Sequence, residues 1–319
     1  MKRIANAVAL AAVAAVAAVA AVAALGCSDG GGSGAPSDAL AGSCPGGFAP
    51  GAGRNVGFPS DGVERSFHVL LPADTRTPRP LFVALTGTVQ EEISFTQQSG
   101  LDRLPDDGWI VAVPVRTCSQ HGTNCAQFGT DGRVWEPWFD GTIRGASDDE
   151  GPDVRFVDAM VRCIADAWPV ARDRVYVGGI SAGGSFTNRL LTFDSELFAG
   201  GVVASGNWYN GLAAPKSAVR MDQAIAIVIW GGPTDLWPPG NPLSDYNPET
   251  RLAARYYAAQ PDVVTVACSG THGHIWPTAM TPWLVRTLLS HPKGTPASDF
   301  ELTDPPPGFG CVIGPYTDH

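Results

Sequence analysis

This sequence predicts an α/β domain with a doubly wound, mostly parallel sheet, and three observations carry the prediction. Short apolar runs alternate along the chain with segments of helical periodicity. Most of the runs are solid rather than alternating apolar and polar, as strands covered by helices on both faces should be. A glycine-rich turn, Gly178 to Gly184, joins one run directly to a helical segment. Strands interleaved with helices are the signature of α/β architecture.

In chain order the predicted strands are Arg65–Leu71, Leu81–Leu85, Trp109–Val115, Val175–Gly178, Val202–Ser205, Ala224–Trp230 and Val263–Ala267. The clearest helix spans Asp153–Trp168, with Val154, Val157, Met160, Val161, Ile164 and Trp168 on one face and Pro169 ending it. Ser185–Phe193, Pro248–Ala259 and Thr278–Leu289 complete the helical set. There is no internal repeat and no second linker, so residues 44–319 are expected to form one domain.

The N-terminus is a different kind of sequence. Lys2 and Arg3 precede an uncharged Ala/Val run from Ala7 to Leu25, the pattern of a secretory signal over residues 1–26. Leu25-Gly26-Cys27 resembles the box at which bacterial lipoproteins are cut and lipidated, although Ala24 stands where such boxes usually carry leucine. Lipidation at Cys27, plain cleavage and a retained anchor all place the domain outside the cytoplasm. The expectation is a domain lipid-anchored to the bacterial cell envelope or secreted, with membrane contact only through that N-terminus. Residues 27–43 form a Gly/Ser-rich tether too small and polar to bury anything.

The formal net charge is −10, and it becomes more negative once Lys2 and Arg3 are removed. Such a surface argues against nucleic acid and anionic lipid as partners. Beyond Cys27 lie Cys44, Cys118, Cys125, Cys163, Cys268 and Cys311. An even set in an exported chain implies disulfides. Cys118–Cys125 would close a short loop, and Cys268–Cys311 would staple the Pro-rich tail beside the last strand.

The chemistry centres on Gly179-Ile180-Ser181-Ala182-Gly183. A serine at a sharp strand-to-helix turn projects its hydroxyl above the sheet, and side chains at 179 or 183 would collide with the adjoining strand and helix. A serine hydroxyl needs a histidine to take its proton, and the histidine needs a carboxylate to fix its tautomer. Asp235 follows the strand Ala224–Trp230. Of the six histidines, His68 and His121 precede the serine, while His291 and His319 lie beyond the last helix or at the terminus. His272 and His274, after the strand Val263–Ala267, remain.

These residues resemble a family. Arg65–Pro72, Pro80–Gln90, Asp173–Gly184 and Gly273-His274-Ile275-Trp276-Pro277 are similar to the extracellular polyhydroxybutyrate depolymerase and feruloyl esterase group of α/β-hydrolases. The resemblance spans about Arg65 to Leu289. It implies Ser181 as nucleophile, Asp235 as orienting acid and His274, rather than His272, as base. It also implies an oxyanion hole from the N–H groups of Ala182 and the loop after Leu85. That loop departs from the family: Thr86-Gly87 replaces the usual His-Gly. Backbone donors need a backbone path rather than a particular side chain, so Thr88 is expected to supply the second N–H, and the substitution bears on the rigidity of the loop.

Trp135, Trp138, Phe139, Trp208, Trp237 and Trp276 fall in segments expected to be loops. Trp138 and Trp276 are candidate walls of a substrate groove. The expected function is hydrolysis of carboxylic esters, of a polyester or of a feruloylated or acetylated polysaccharide, by a monomer. A serine peptidase or an inactive surface binding protein are the alternatives. No cofactor and no metal are implied, since no phosphate-cradling loop follows a strand and no His/Cys ligand cluster is present.

Overall fold

The run Ala224–Trp230 shows how the domain is built. Every one of its residues is buried, and successive side chains point to opposite sides of the sheet. Ala224, Ala226, Val228 and Trp230 join one apolar cluster, while Ile225, Ile227 and Ile229 join another. A strand flanked by two cores has no polar face to show, which is why it is solidly apolar in sequence. The computed structural model describes residues 44–88, 90–116, 135, 151–193, 195–208, 221, 223–238 and 244–314. The signal and lipidation expectations at residues 1–43, the Cys118–Cys125 pair, Trp138 and Phe139 lie outside these residues.

The strands are β1 (Gly53–Ser60), β2 (Val63–Leu70), β3 (Arg79–Leu85), β4 (Ile110–Pro114), β5 (Val170–Ile180), β6 (Gly200–Ala204), β7 (Ala224–Trp230), β8 (Leu236–Trp237), β9 (Ser244–Asp245), β10 (Val263–Ser269) and β11 (Gly310–Ile313). The helices are α1 (Glu92–Ser99), α2 (Pro152–Ala167), α3 (Ala182–Phe193), α4 (Tyr246–Ala258) and α5 (Thr281–Leu289). Nine strands form one sheet in the order β1-β2-β4-β3-β5-β6-β7-β10-β11. β4, β3, β5, β6, β7 and β10 run parallel, while β2 and β11 are antiparallel to their inner neighbours. α2, α3 and α4 bury their apolar residues in the first cluster, and α1 and α5 in the second. Helices therefore cover both faces, as a doubly wound sheet requires.

α2 starts one residue before its predicted position because Pro152, with its fixed φ, suits the first turn. α3 takes in Ala182 to Gly184, so the helix begins immediately after Ser181. Five elements were not anticipated, two of them the two-residue strands β8 and β9, which pair only with each other. β1 contains Gly57 and Pro59 and is irregular between Asn55 and Phe58. α1 carries little apolar surface beyond Phe95, and it forms because the Glu91 carboxylate accepts from the N–H groups of Ile93 and Ser94. β11 is an edge strand with only Cys311 partly shielded. A disulfide joins Cys311 to its register partner Cys268, the pairing expected from sequence. A second disulfide, Cys44–Cys163, ties the segment before β1 to α2.

Candidate active site

Ser181 stands between β5 and α3 with φ +57°, a left-handed backbone that costs a non-glycine residue about 1–3 kcal/mol. Its N–H donates to Ala204 O at 3.0 Å, and its carbonyl accepts from the Ser185 N–H at 2.8 Å, so the turn is locked to β6 and to the helix. The glycines around it are required by close approach. A Cβ on Gly179 would lie 2.7 Å from both Gly183 C and Leu85 Cβ. One on Gly183 would lie 2.6 Å from Leu85 C and 2.7 Å from Thr86 O.

Asp235 ends the short turn that follows β7. It is fully buried, and its N–H donates to Gly232 O at 3.0 Å. Oδ2 accepts from Ser205 Oγ and from the Gly231 N–H, each at 2.8 Å. Oδ1 lies 2.7 Å from Nδ1 of His274, in the loop after β10. A carboxylate has only lone pairs to offer, so in this pairing Nδ1 carries the proton and donates it to Oδ1. Nε2 is then the basic atom; it is buried and makes no hydrogen bond among the described residues. The His274 ring packs at 4.1 Å from the Tyr246 ring and at 5.7 Å from that of Trp237. The loops after β7 and β10 are tied by the Gly273 N–H donating to Gly231 O at 3.0 Å.

Of the two candidate histidines only His274 reaches Asp235. His272 packs against Phe309 at 5.3 Å, and among the described residues neither of its ring nitrogens makes a hydrogen bond. Burial pushes its pKa below the ordinary 6.5, against the opposing charge of Asp235. Ser205 was not singled out from sequence. It sits just past the end of β6 with φ +45°, fully buried, and belongs to no motif; only the fold reveals that its hydroxyl faces Asp235.

On the other side of Ser181 lies the loop Thr86–Gln90. Thr86 is fully buried, and its carbonyl accepts from Trp135 Nε1 at 2.9 Å. A Cβ on Gly87 would come within 3.2 Å of Ser181 Cβ, so the loop passes directly against the serine. Ala182 opens α3, and its N–H is one of the first-turn donors that a helix leaves without an internal partner. Among the described residues the Thr88 N–H also makes no hydrogen bond.

The aromatic expectations need correction. Trp276 is not a groove wall: it is 6 % exposed, packs edge-on against Phe95, and donates its Nε1–H to Thr281 Oγ1 at 2.9 Å. Trp135 is fully buried and stacks on Phe186, and Trp208 is buried against Tyr256. Among the described residues Trp237 is the aromatic of this set that is exposed, 38 % beside His274. Among the described residues no group of three or more His, Cys, Asp or Glu side chains is arranged to hold a metal ion.

A doubly wound sheet with a strand–serine–helix turn and a hydrogen-bonded Asp–His pair beyond the carboxyl ends of neighbouring strands defines an α/β-hydrolase. No protein-family model matches the chain. It is 40% identical over 324 residues to the oxidized polyvinyl alcohol hydrolase of Sphingopyxis sp. strain 113P3, covering 87% of this chain and 89% of that one. With the oxidized polyvinyl alcohol hydrolase of a Pseudomonas sp. it shares 36% identity over 324 residues, 86% of each. The chain belongs to the oxidized polyvinyl alcohol hydrolase family and is a hydrolase. Among solved structures, native sOPH superposes with a TM-score of 0.76 at 38% identity, covering 87% of this chain and 98% of that one. Native pOPH gives 0.77 at 35% identity, covering 86% and 97%. A feruloyl esterase B from Thermothelomyces thermophilus matches less of the chain, 28% identical over 154 residues and 47% of each. The comparisons thus show the oxidized polyvinyl alcohol hydrolases, with a partial match to a feruloyl esterase, and do not specifically show the polyhydroxybutyrate depolymerases within the group that the motifs resemble.

Proposed function

We propose that the chain is a serine hydrolase acting on acyl carbonyls, with Ser181 as nucleophile, His274 as base and Asp235 as its orienting acid. The observation that carries this reading is the Asp235–His274 hydrogen bond, tied to the Ser181 turn through the end of β6, where Ala204 O accepts the Ser181 N–H and Ser205 Oγ donates to Asp235. The relatives' name suggests the substrate. Polyvinyl alcohol bears a hydroxyl on alternate backbone carbons, so oxidation of two neighbours yields a 1,3-diketone and no ester. Hydrolysis of such a unit must break a carbon–carbon bond.

The proposed site handles that bond as it would an ester. Ser181 Oγ adds to one carbonyl while its proton passes to His274 Nε2. The N–H groups of Ala182 and Thr88 receive the oxyanion. Collapse breaks the bond to the methylene, whose electron pair leaves as an enolate of the second carbonyl. His274 returns its proton to that carbon, producing a methyl ketone and an acyl-serine. Water, deprotonated by His274, then releases a carboxylic acid and free Ser181. With a carboxylic ester, an alkoxide replaces the enolate and every other step is the same. The exposed ring of Trp237 beside His274, with the 59 % exposed Ile275 next in sequence to it, offers apolar contact to a polymer chain.

Turnover of a long-chain 1,3-diketone, p-nitrophenyl esters and a peptide anilide by the purified chain tests the reading. The expected result is hydrolysis of the diketone and the esters, lost together in Ser181→Ala, and an intact anilide. Diketone cleavage that persists in Ser181→Ala, or the anilide as best substrate, would reject it. Export belongs to the same proposal. Its support is the leader-like N-terminus with Cys27 at its end and two disulfides, which persist in oxidising compartments. Mass spectrometry of the mature N-terminus would show a lipidated Cys27; an unmodified N-terminal residue other than Cys27 would reject the lipid anchor.

A further inference from the structure

The loop against Ser181 is held in a way that its sequence does not disclose. Gln90 closes a four-residue turn twice over. Its N–H donates to Gly87 O at 3.3 Å, and its side-chain Oε1 accepts the Gly87 N–H at 2.8 Å. The turn is braced from outside at both ends. The buried Arg116 guanidinium, beyond the end of β4, donates to Gln90 O. Trp135 Nε1, on a ring stacked 4.8 Å from that of Phe186 in α3, donates to Thr86 O. Among the described residues this loop carries two neighbouring N–H groups next to the serine, those of Gly87 and Thr88. Gln90 engages the first, and among the described residues the second makes no hydrogen bond.

From this arrangement we infer that Gln90 is a positioning residue of the oxyanion hole: its side chain engages the Gly87 N–H and thereby presents the Thr88 N–H to the substrate carbonyl. The inference rests on the reading of Ser181 as nucleophile. It also accounts for Thr86 where the resembling family has histidine: the loop is held by Gln90, Trp135 and Arg116, and the residue at 86 contributes its carbonyl. A donor that is fixed before reaction costs no reorganisation when the oxyanion forms, so losing the brace should slow chemistry while leaving ground-state binding intact.

The test compares Gln90→Met, which keeps length and loses the acceptor, with Gln90→Glu, which keeps an acceptor for the Gly87 N–H. Readouts are kcat and KM on a p-nitrophenyl ester, Ki for an alkyl boronic acid that forms a tetrahedral adduct on the serine, and melting temperature. For Gln90→Met the expected result is a fall in kcat of about tenfold to a hundredfold, less than or comparable to loss of a whole oxyanion donor. KM should stay within about twofold, and boronate Ki should rise by the factor that kcat/KM falls. Gln90→Glu should recover part of the loss. A kcat within about twofold of the parent, a boronate Ki that does not move, or Gln90→Glu falling as far as Gln90→Met would overturn the inference. Should Gln90→Met fail to fold, Gln90→Asn, one methylene too short to reach Gly87, gives the same readouts. Turnover surviving in Ser181→Ala would instead remove the nucleophile reading, whatever Gln90 does.

Discussion

The two halves of the candidate site are built from different materials. The Asp235–His274 half is a chain of side-chain hydrogen bonds: Ser205 and the Gly231 N–H on one carboxylate oxygen, His274 on the other. The Ser181 half is held mainly by backbone, with a left-handed serine wedged among β5, β6, α3 and the Thr86–Gln90 loop, where glycines leave no room for a methyl group. Side-chain networks can lose one member and keep their fold, so damage there should appear as lost rate. Backbone packed to contact has no such slack, and damage there should appear as lost stability as well.

The largest expected effect breaks the first half cleanly. Asp235→Asn preserves shape but offers its amide to the histidine, favouring the wrong tautomer, and kcat should fall by about 10⁴-fold with the melting temperature little changed. Steady-state kinetics alongside calorimetry checks both parts. Gly183→Ala breaks the second half. The added methyl meets Leu85 and Thr86 backbone atoms that cannot move independently, and overpacking of this kind costs about 1–3 kcal/mol. Urea unfolding should show that loss together with a fall in kcat; full stability with normal turnover would end the contrast.

Ser205→Ala sharpens the comparison with a smaller change. It removes one hydrogen bond to the Asp235 carboxylate and leaves the Gly231 N–H on the same oxygen. Turnover should drop about tenfold without a matching rise in KM, and Ser205→Thr should restore part of it. The smallest effect concerns pH. Burial holds His68, His272 and His291 below their ordinary pKa of 6.5. The unfolded chain takes up these protons near pH 6.5 and the folded chain resists them, so stability is greatest above that pH and declines as pH falls through it. Melting temperature should decrease from pH 7 to pH 5, and the fully buried His291 replaced by Phe should reduce the decrease.

The same contrast governs what was legible in sequence. The backbone half advertises itself, because close approach demands glycine at 179 and 183 and those positions flank the serine within five residues. Asp235 and His274 were reachable by chain order and strand ends. Ser205 and Gln90 were not, since their parts depend on contacts between segments far apart in sequence or on a side chain folding back on its own turn. In the fold, solidly apolar strands such as β7 were plain. β1 was hidden by Gly57 and Pro59, and α1 by a cap-stabilised sequence with one large buried side chain. Trp276 misled because adjacency to His274 in sequence says nothing about which way a ring turns; its ring packs into the core with Phe95.

The central claim is that Ser181 performs the chemistry, and covalent labelling tests it most directly. The purified chain is treated with a fluorophosphonate, digested and mapped by mass spectrometry while residual diketone and ester turnover are followed. The account predicts an adduct on the peptide carrying Ser181, activity lost in proportion to labelling, and no adduct in Ser181→Ala. Inactivation with the adduct on another residue, or sustained turnover by fully labelled protein, would contradict it.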